Sequence, residues 1–124
     1  MENSNQRLGR LGEDAAARWY VAAGYQLLDR NWRCDLGEVD LIVGREAMVA
    51  FVEVKTRSSR RYGSGFDAVD WRKQNRIRRV ALSWLAETRR PDSPVSPDRY
   101  FTEIRFDVVD VDARGNVQVN EGCF

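Results

Sequence analysis

The 124-residue sequence contains no histidine, and this absence excludes several kinds of chemistry. Ser-His and Cys-His nucleophile pairs, histidine-ligated zinc and histidine-dependent nucleases all need an imidazole. The two cysteines, Cys34 and Cys123, are too few for a disulfide framework and cannot alone form a structural zinc site. Any hydrolysis by this chain must therefore use carboxylates, a metal ion and lysine.

Long apolar runs are also missing. No stretch approaches the roughly 20 residues that cross a bilayer, and the N-terminus Met1-Glu2-Asn3-Ser4 lacks the charged-then-apolar layout of a signal peptide. We therefore expect a cytoplasmic protein that makes no membrane contact. Its length fits one domain over 1–124, with a core at about 7–112 and a C-terminal turn and tail at 113–124.

Lysine is the third rarity. Eighteen of the twenty basic residues are arginine, and only Lys55 and Lys73 are lysine. Where this chain needs only positive charge it uses arginine, so a lysine points to a chemical use. Burial can lower the pKa of a lysine, which then loses a proton and acts as a base or orients a water molecule.

The segment Met48–Thr56 has the β-branched and aromatic content of a buried strand. Residues two apart in a strand project from the same face, so Glu53 and Lys55 should lie side by side. Asp40 lies in a second predicted strand, at 37–44. An Asp, a Glu and a Lys at one sheet edge indicate a site for a hard divalent cation and a general base. The alternative is a cross-strand ion pair that happens to contain lysine.

The remaining patterns predict an α/β fold. A helix is expected over 5–23, strands at 25–34, 37–44 and 48–56, and a second helix that Asp67 or Asp70 caps and that ends near Arg90. A long strand at 99–112 and a short edge segment at 117–119 follow. The core order is α-β-β-β-α-β, a mixed sheet flanked by helices.

The first helix carries two stripes. Apolar residues recur at helical spacing: Leu8, Leu11, Ala15, Trp19 and Ala22. A second stripe contains small residues and one acid: Gly9, Gly12, Glu13, Ala16 and Tyr20. Each glycine costs about 1 kcal/mol relative to alanine in a helix interior, so we expect close approach of another backbone or of a ligand. Glu13 either belongs to that site or is a solvated helix acid.

Charge is unevenly distributed. Residues 57–90 hold ten basic and three acidic side chains, although the net charge of the whole chain is only +1. Arginines in this segment are expected to grip phosphates of a nucleic acid: Arg57, Arg60 and Arg61 in a loop, and Arg72, Arg76 and Arg79 on one face of the second helix. Lys73 borders the apolar stripe of this helix. It should point towards the sheet, unless its stem follows the interface and its ammonium stays in water.

Together these residues fit phosphodiester hydrolysis. Mg²⁺ needs only one or two protein carboxylates, which Asp40 and Glu53 supply, and the backbone carbonyl of Val54 can complete the sphere. Mg²⁺ or Mn²⁺ would neutralise phosphate oxygens and acidify a water molecule, while Lys55 orients or deprotonates that water.

The same residues resemble a known family. An Asp…Glu-x-Lys set on a β-hairpin, in an α-β-β-β-α-β order, is similar to the PD-(D/E)xK nuclease superfamily with its restriction-endonuclease-like fold. The segments GEVDLI at 37–42 and FVEVKTR at 51–57 resemble the bacterial YraN-like family, which is distantly similar to archaeal Holliday junction resolvases. Further matches are Gly12-Glu13, the Gly24-Tyr25 step, Asn31-Trp32-Arg33, Lys73 and Arg105-Phe106-Asp107.

The resemblance implies a role for each matching position. Asp40 and Glu53 would be metal ligands and Lys55 the catalytic lysine. Glu13 would complete the metal site, Glu38 would be an acid beside it, and Lys73 would lie near the scissile phosphate. The implied activity is a Mg²⁺- or Mn²⁺-dependent endonuclease acting on DNA, including branched or damaged DNA, and the analogy with resolvases implies a homodimer. Two alternatives stay open: a nuclease-fold module that binds nucleic acid without cleaving it, and an interaction domain that binds an acidic protein.

Overall fold

The computed structural model describes residues 2–57, 70–90, 92–93 and 101–124. Within these ranges the elements are α1 Ser4–Ala22, β1 Gln26–Cys34, β2 Gly37–Arg45, β3 Met48–Thr56, α2 Trp71–Thr88, β4 Glu103–Val111 and β5 Val117–Asn120. The predicted α/β class and the α-β-β-β-α-β order are confirmed, and β5 lies at the predicted edge segment.

The five strands form one mixed sheet in the order β1-β2-β3-β4-β5. The first three strands are an antiparallel meander, β4 runs parallel to β3, and β5 returns antiparallel to β4. A parallel neighbour requires a crossover connection, and α2 lies in the segment that joins β3 to β4. In the described part of the chain, neither helix is both long and apolar enough to cross a bilayer.

Each face of the sheet carries its own hydrophobic cluster. Along β3, Ala50 and Val52 pack in the cluster that contains α1, whereas Val49 and Phe51 pack in the cluster that contains α2. The alternation follows from the two-residue period of a strand. Consequently β3 is buried on both faces, and its polar residues are confined to its C-terminal end.

Helix α1 begins with a capping box between Asn3 and Gln6, and Gly24 follows it with φ 92°. The helix is confirmed, but its apolar stripe is not the buried face. Leu11 remains 49% exposed, whereas the buried residues belong mainly to the small-residue stripe: Gly12, Ala15, Ala16, Ala17 and Tyr20. Small side chains occupy the buried face because they let the helix axis approach the sheet closely.

Gly12 shows how close that approach is. A Cβ atom placed on Gly12 would lie 2.0 Å from Oγ1 of Thr56, at the end of β3, so no other residue fits without movement. A close neighbour is therefore present at this glycine, but it is the side chain of Thr56 and not the backbone or ligand that the sequence led us to expect. The expectation of a close approach is not confirmed at Gly9, where nothing lies within 4 Å of the same hypothetical atom.

Helix α2 begins at Trp71, and the side chain of Asp70 caps it by accepting from the backbone N–H of Lys73 at 2.9 Å. The alternative cap, Asp67, lies outside the described residues. The buried face contains Ile77, Val80, Ala81 and Trp84, with Leu85 half-buried, as predicted. This face packs on β2, so the first turn of α2 lies beside the strand that carries Asp40.

Candidate active site

Asp40 lies where β2 and β3 part. The paired register runs from Arg45–Met48 to Leu41–Val52, and its next step brings Asp40 opposite Glu53. Here the backbone N–H of Val54 donates to Oδ2 of Asp40 at 2.8 Å. In a strand, the N–H and C=O of one residue leave on the same side, so the Val54 carbonyl also faces β2. If the ladder between β2 and β3 continued, a further pair of main-chain hydrogen bonds would form here. The carboxyl group of Asp40 occupies that position instead.

An irregularity in β1 accompanies this arrangement. Asn31 has φ 52° and lies between the pairs Arg30–Leu41 and Trp32–Val39. Val39 and Ile42, three residues apart, pack in the same cluster, so the in-out alternation of β2 changes phase between them. Asp40 lies between them, at this change of phase. The periodicity of the sequence contains no signal of such a change.

Glu53 and Lys55 lie side by side, as the strand period predicts. The ammonium nitrogen of Lys55 is 3.3 Å from Oε1 of Glu53. Lys73 reaches the same oxygen from α2, at 2.7 Å. Lys73 therefore points towards the sheet, and the expectation that it would do so is confirmed. Three ionisable groups from two elements meet at the end of β3, where Glu53 itself is 9% exposed.

The surroundings of Asp40 disfavour its charge. Burial, and after it the neighbouring charge of Glu53, raise the pKa of Asp40 to about 7, against the opposing hydrogen bond from Val54. The charges of Glu13 and Glu38 act in the same direction as Glu53. A divalent cation would remove this repulsion, which is how carboxylate pairs favour metal binding.

The pKa values of the two lysines shift in opposite directions in these surroundings. Burial lowers the pKa of Lys55, and the adjacent Lys73 lowers it further, although Glu53 opposes both effects. Burial is also the largest single effect on Lys73 and disfavours its charge, but the hydrogen bond to Glu53 and the nearby charges of Glu53 and Asp40 together raise the pKa of Lys73. Lys55 is thus the lysine whose surroundings favour loss of a proton, as a general base requires.

Glu13 and Glu38 are both engaged by basic or amide groups. The side chain of Asn31 donates to Oε1 of Glu13 at 3.0 Å, and Nε of Arg30 lies 3.7 Å from the same oxygen. Arg33 forms an ion pair with Glu38. Both acids lie near enough to Asp40 to raise its pKa. Their predicted roles beside a metal ion stay predictions.

The oxygen donors fit a hydrated ion better than an enclosed one. Within the described ranges, no group of three or more acidic or cysteine side chains is arranged to hold a metal ion. Asp40 and Glu53 form a pair, and the contacts above use one oxygen of each carboxyl group. Mg²⁺ usually keeps several waters and binds through one or two carboxylates, so this pair, with the Val54 carbonyl, suits Mg²⁺ or Mn²⁺.

Sequence reasoning missed Asp110. In the parallel register Asp110 pairs with Lys55, and its Oδ1 lies 3.4 Å from Nε of Arg57. Arg57, predicted to contact nucleic acid, therefore also forms an ion pair beside the candidate site. The signal available was an acid directly after the apolar pair Val108-Val109 in β4, but the register between β3 and β4 depends on the crossover and could not be read from local patterns.

Asp107 was also missed as a structural residue. It is fully buried and accepts from the Tyr20 hydroxyl at 2.7 Å and from Arg105 at 2.8 Å. Arg105 donates further to the hydroxyl of Tyr25 at 2.9 Å. This network joins β4 to α1 on the face opposite Glu53, and every charge in it has a partner. It belongs to the core of the fold.

The predicted arginine face of α2 is exposed to solvent. Arg72, Arg76 and Arg79 all lie on the surface, away from the buried stripe. The other two arginines predicted to bind nucleic acid, Arg60 and Arg61, lie outside the described residues. Arg72 lies in the first turn of α2, next to Lys73, and Arg76 and Arg79 follow in the second and third turns.

Comparison with known proteins places the chain in a family. A model of the "Uncharacterised protein family UPF0102" matches residues 12–111. The chain is 50% identical over 117 residues to a UPF0102 protein of Parafrankia sp. (strain EAN1pec), covering 93% of this chain and 92% of that protein. It is 51% identical over 102 residues to a UPF0102 protein of Frankia alni, covering 82% and 78%. A UPF0102 protein of Rhodococcus opacus is 46% identical over 105 residues, covering 85% and 81%. The chain therefore belongs to the uncharacterised protein family UPF0102.

Proposed function

We propose that this protein is a Mg²⁺- or Mn²⁺-dependent endonuclease that hydrolyses phosphodiester bonds in DNA, including branched or damaged DNA. The observation that carries the proposal is the meeting of Glu53, Lys55 and Lys73 beside Asp40, at the point where β2 and β3 part. The finer resemblance to YraN-like proteins of the PD-(D/E)xK superfamily supports it, because the same positions match that superfamily's motif.

Each residue has a definite task in this proposal. Bound Mg²⁺ would supply positive charge to the scissile phosphate and lower the pKa of a water molecule. Asp40 and Glu53 would hold the ion through their carboxylate oxygens. Lys55, whose pKa is lowered by burial, accepts a proton from the attacking water or orients it. Lys73 keeps its proton and neutralises charge near the phosphate.

Cleavage tests the proposal directly. Branched, linear and single-stranded DNAs are incubated with Mn²⁺ and wild-type protein, with Lys55→Ala run in parallel. We expect cleavage by the wild type and a loss of about 100-fold or more in Lys55→Ala, the usual range for a general base. Equal cleavage by both proteins would show that the activity is a contaminant. Lys73→Ala keeps both proposed metal ligands. A loss of cleavage in this variant therefore measures the contribution of the Lys73 charge and not of metal binding.

A second candidate is a nucleic-acid-binding module that keeps the fold without cleaving. One observation favours it: both ammonium groups contact Oε1 of Glu53, so the carboxylate is already neutralised before any cation binds. Thermal unfolding at increasing metal concentrations separates the two candidate functions. A catalytic site predicts that millimolar Mg²⁺ or Mn²⁺ raises the melting temperature of wild type and not of Asp40→Asn. Salt-sensitive DNA binding without a metal effect would support the binding module.

A homodimer belongs to the same proposal. It would match the two-fold symmetry of a branched substrate, and sedimentation with and without junction DNA tests it.

A third candidate function is binding of an acidic protein through the arginine face. It predicts no salt-sensitive affinity for plain DNA.

A further inference from the structure

A small cleft lies beside the first turn of α2 and has no part in the metal site described above. Its volume is about 280 Å³. Six residues from α2 and from the turn between β1 and β2 line it: Leu36, Trp71, Arg72, Asn75, Arg76 and Arg79. The volume is near the lower end of the roughly 300–1,000 Å³ that holds a drug-sized molecule, so a single planar group fits better than a helix or a strand.

Trp71 is the unusual residue of this cleft. Its side chain is 66% exposed, whereas Trp84, on the same helix, is 1% exposed. The exposed indole ring makes no contribution to the core, and a first helical position has no special need for tryptophan. Leu36 also lines the cleft and is 42% exposed. An exposed aromatic ring in a cleft that a second apolar side chain lines can receive a planar ring.

The charged residues that line the cleft are all positive. None of the six lining residues is acidic, and three are arginines. The guanidinium of Arg72 lies 5.8 Å from the centre of the Trp71 ring. Exposed aromatic rings between basic side chains are how proteins bind single-stranded nucleic acid: the base stacks on the ring while the arginines contact phosphates.

Gly37 keeps this wall of the cleft in place. It has φ 147°, a conformation that favours glycine, and a Cβ atom here would lie 3.1 Å from Cδ of Arg76. The stem of Arg76 therefore packs directly on the start of β2, beside the cleft that Arg76 lines. Gly37 lies three residues before Asp40, so the cleft is roughly 10 Å along β2 from the candidate active site.

We propose that this cleft stacks one unpaired base of the substrate strand on Trp71, while Arg72, Arg76 and Arg79 hold the flanking phosphates. This inference rests on the proposed function and names its substrate class: nucleic acid with unpaired nucleotides next to the cleavage point. In a fully paired duplex the base faces are stacked inside the helix except at its two ends, so it binds mainly through its phosphates. Lys73, two residues after Trp71, reaches Glu53, so the same helical turn joins base binding to the active site.

The test is a binding measurement without divalent metal, so that it does not depend on cleavage. Fluorescence anisotropy follows a labelled single strand of about 12 nucleotides, within the usual site size, and the blunt duplex of the same sequence. The variants are Trp71→Ala and Trp71→Phe. Leu82→Ala is the matched control, because Leu82 is 65% exposed on the same helix and does not line the cleft.

We expect Trp71→Ala to weaken single-strand binding about 10-fold or more, the usual effect of removing a stacking ring. Trp71→Phe should keep most of the affinity, Leu82→Ala should keep all of it, and duplex binding should change little in every variant. Quenching of tryptophan emission by the single strand should disappear in Trp71→Ala.

Three results would overturn the inference. The first is unchanged single-strand binding by Trp71→Ala, and the second is an equal loss for single strand and duplex, which would indicate a charge contact alone. The third is binding of a poly-glutamate peptide with the same dependence on Trp71, which would make the cleft a protein interface. If Lys55→Ala and wild type cleave equally, the nuclease proposal fails while the Trp71 measurement is unaffected, so the two failures are distinguishable.

Discussion

The ammonium nitrogen of Lys73 lies 2.7 Å from Oε1 of Glu53, and this contact joins the first turn of α2 to the end of β3. Lys55 approaches the same oxygen at 3.3 Å. One carboxylate therefore binds two ammonium groups, and they do not share it equally. Burial acts against the charge of both lysines, but the contacts with Glu53 and the charge of Asp40 raise the pKa of Lys73, whereas burial and the adjacent Lys73 lower the pKa of Lys55.

Lysine titration should reveal this inequality. Because the chain contains only two lysines, selective isotope labelling of lysine side chains yields two signals for NMR titration. We expect Lys55 to lose its proton at lower pH than Lys73. In Lys73→Met, the pKa of Lys55 should rise, since the neighbouring positive charge is gone and Glu53 pairs with Lys55 alone.

The same variant assigns the signals, because only one lysine remains in it. A pKa of Lys55 that stays unchanged or falls in Lys73→Met would contradict the proposed coupling. Arg79→Met serves as the control, since it removes a positive charge from the exposed face of α2 and should leave both lysine signals in place.

Asp40→Asn should stabilise the metal-free protein at high pH. Burial and Glu53 raise the pKa of Asp40 to about 7, above its value in the unfolded chain. Between about pH 4 and pH 7 the folded state therefore binds more protons, and the free energy of unfolding falls as pH rises. Asparagine removes this cost, on the order of 2 kcal/mol, and its amide oxygen can still accept from the N–H of Val54.

Urea unfolding in the presence of a chelator measures this effect. The difference in stability, in favour of Asp40→Asn, should grow between pH 5 and pH 8. A difference that stays constant or shrinks over this range would show that Asp40 is not held in an unfavourable charged state. Asp14→Asn is a suitable control, because Asp14 lies on α1 in an ion pair with Arg30.

Gly12→Ala should destabilise the fold. Its new methyl group would meet Oγ1 of Thr56, so α1 must move away from the sheet. We expect a loss of about 2 kcal/mol or more in the free energy of unfolding. The matched change Gly9→Ala, where the methyl group enters open space, should instead stabilise by up to about 1 kcal/mol through helix propensity. Thermal or urea unfolding distinguishes the two.

A partial rescue checks the cause. Thr56→Ala removes the hydroxyl and methyl groups that the new side chain would meet, so the double variant should recover part of the loss. If Gly12→Ala proved as stable as Gly9→Ala, the close approach of α1 to β3 would be refuted.

Asp107→Asn should be among the most destabilising single substitutions. The change removes the buried carboxylate from Arg105, which keeps only the longer contact to Glu121 at 3.7 Å, and it weakens the bond from the Tyr20 hydroxyl. Breaking a buried ion pair on one side costs about 3–5 kcal/mol. Tyr20→Phe, which removes one hydrogen bond and keeps the charges paired, should cost about 1–2 kcal/mol. Urea denaturation of the two variants compares them.

Replacing both charged residues provides the control. Asp107→Leu combined with Arg105→Met removes the ion pair as a unit and should recover much of the stability lost by Asp107→Asn. If the double variant were no more stable than the single one, the loss would come from packing and not from an unpaired charge.

Local patterns predicted much of this structure correctly. The placement of Glu53 beside Lys55 follows from the two-residue period of a strand, and the buried face of α2 follows from helical spacing around Ile77 and Trp84. The face of α1 was harder. Its larger apolar residues, such as Leu11, predicted one buried stripe, yet close packing selected the stripe of small residues around Gly12.

The sequence by itself determined the order of the elements, the strand that carries Glu53 and Lys55, and the unusual position of two lysines among arginines. These features are local, because backbone geometry and side-chain chemistry act within a few residues. Only the tertiary structure decided that Lys73 reaches Glu53, that Asp110 lies opposite Lys55 in the register of β3 and β4, and that Trp71 lines an open basic cleft. Each of these depends on how a crossover and a turn bring distant segments together, and the free energy of that packing is shared by the whole core.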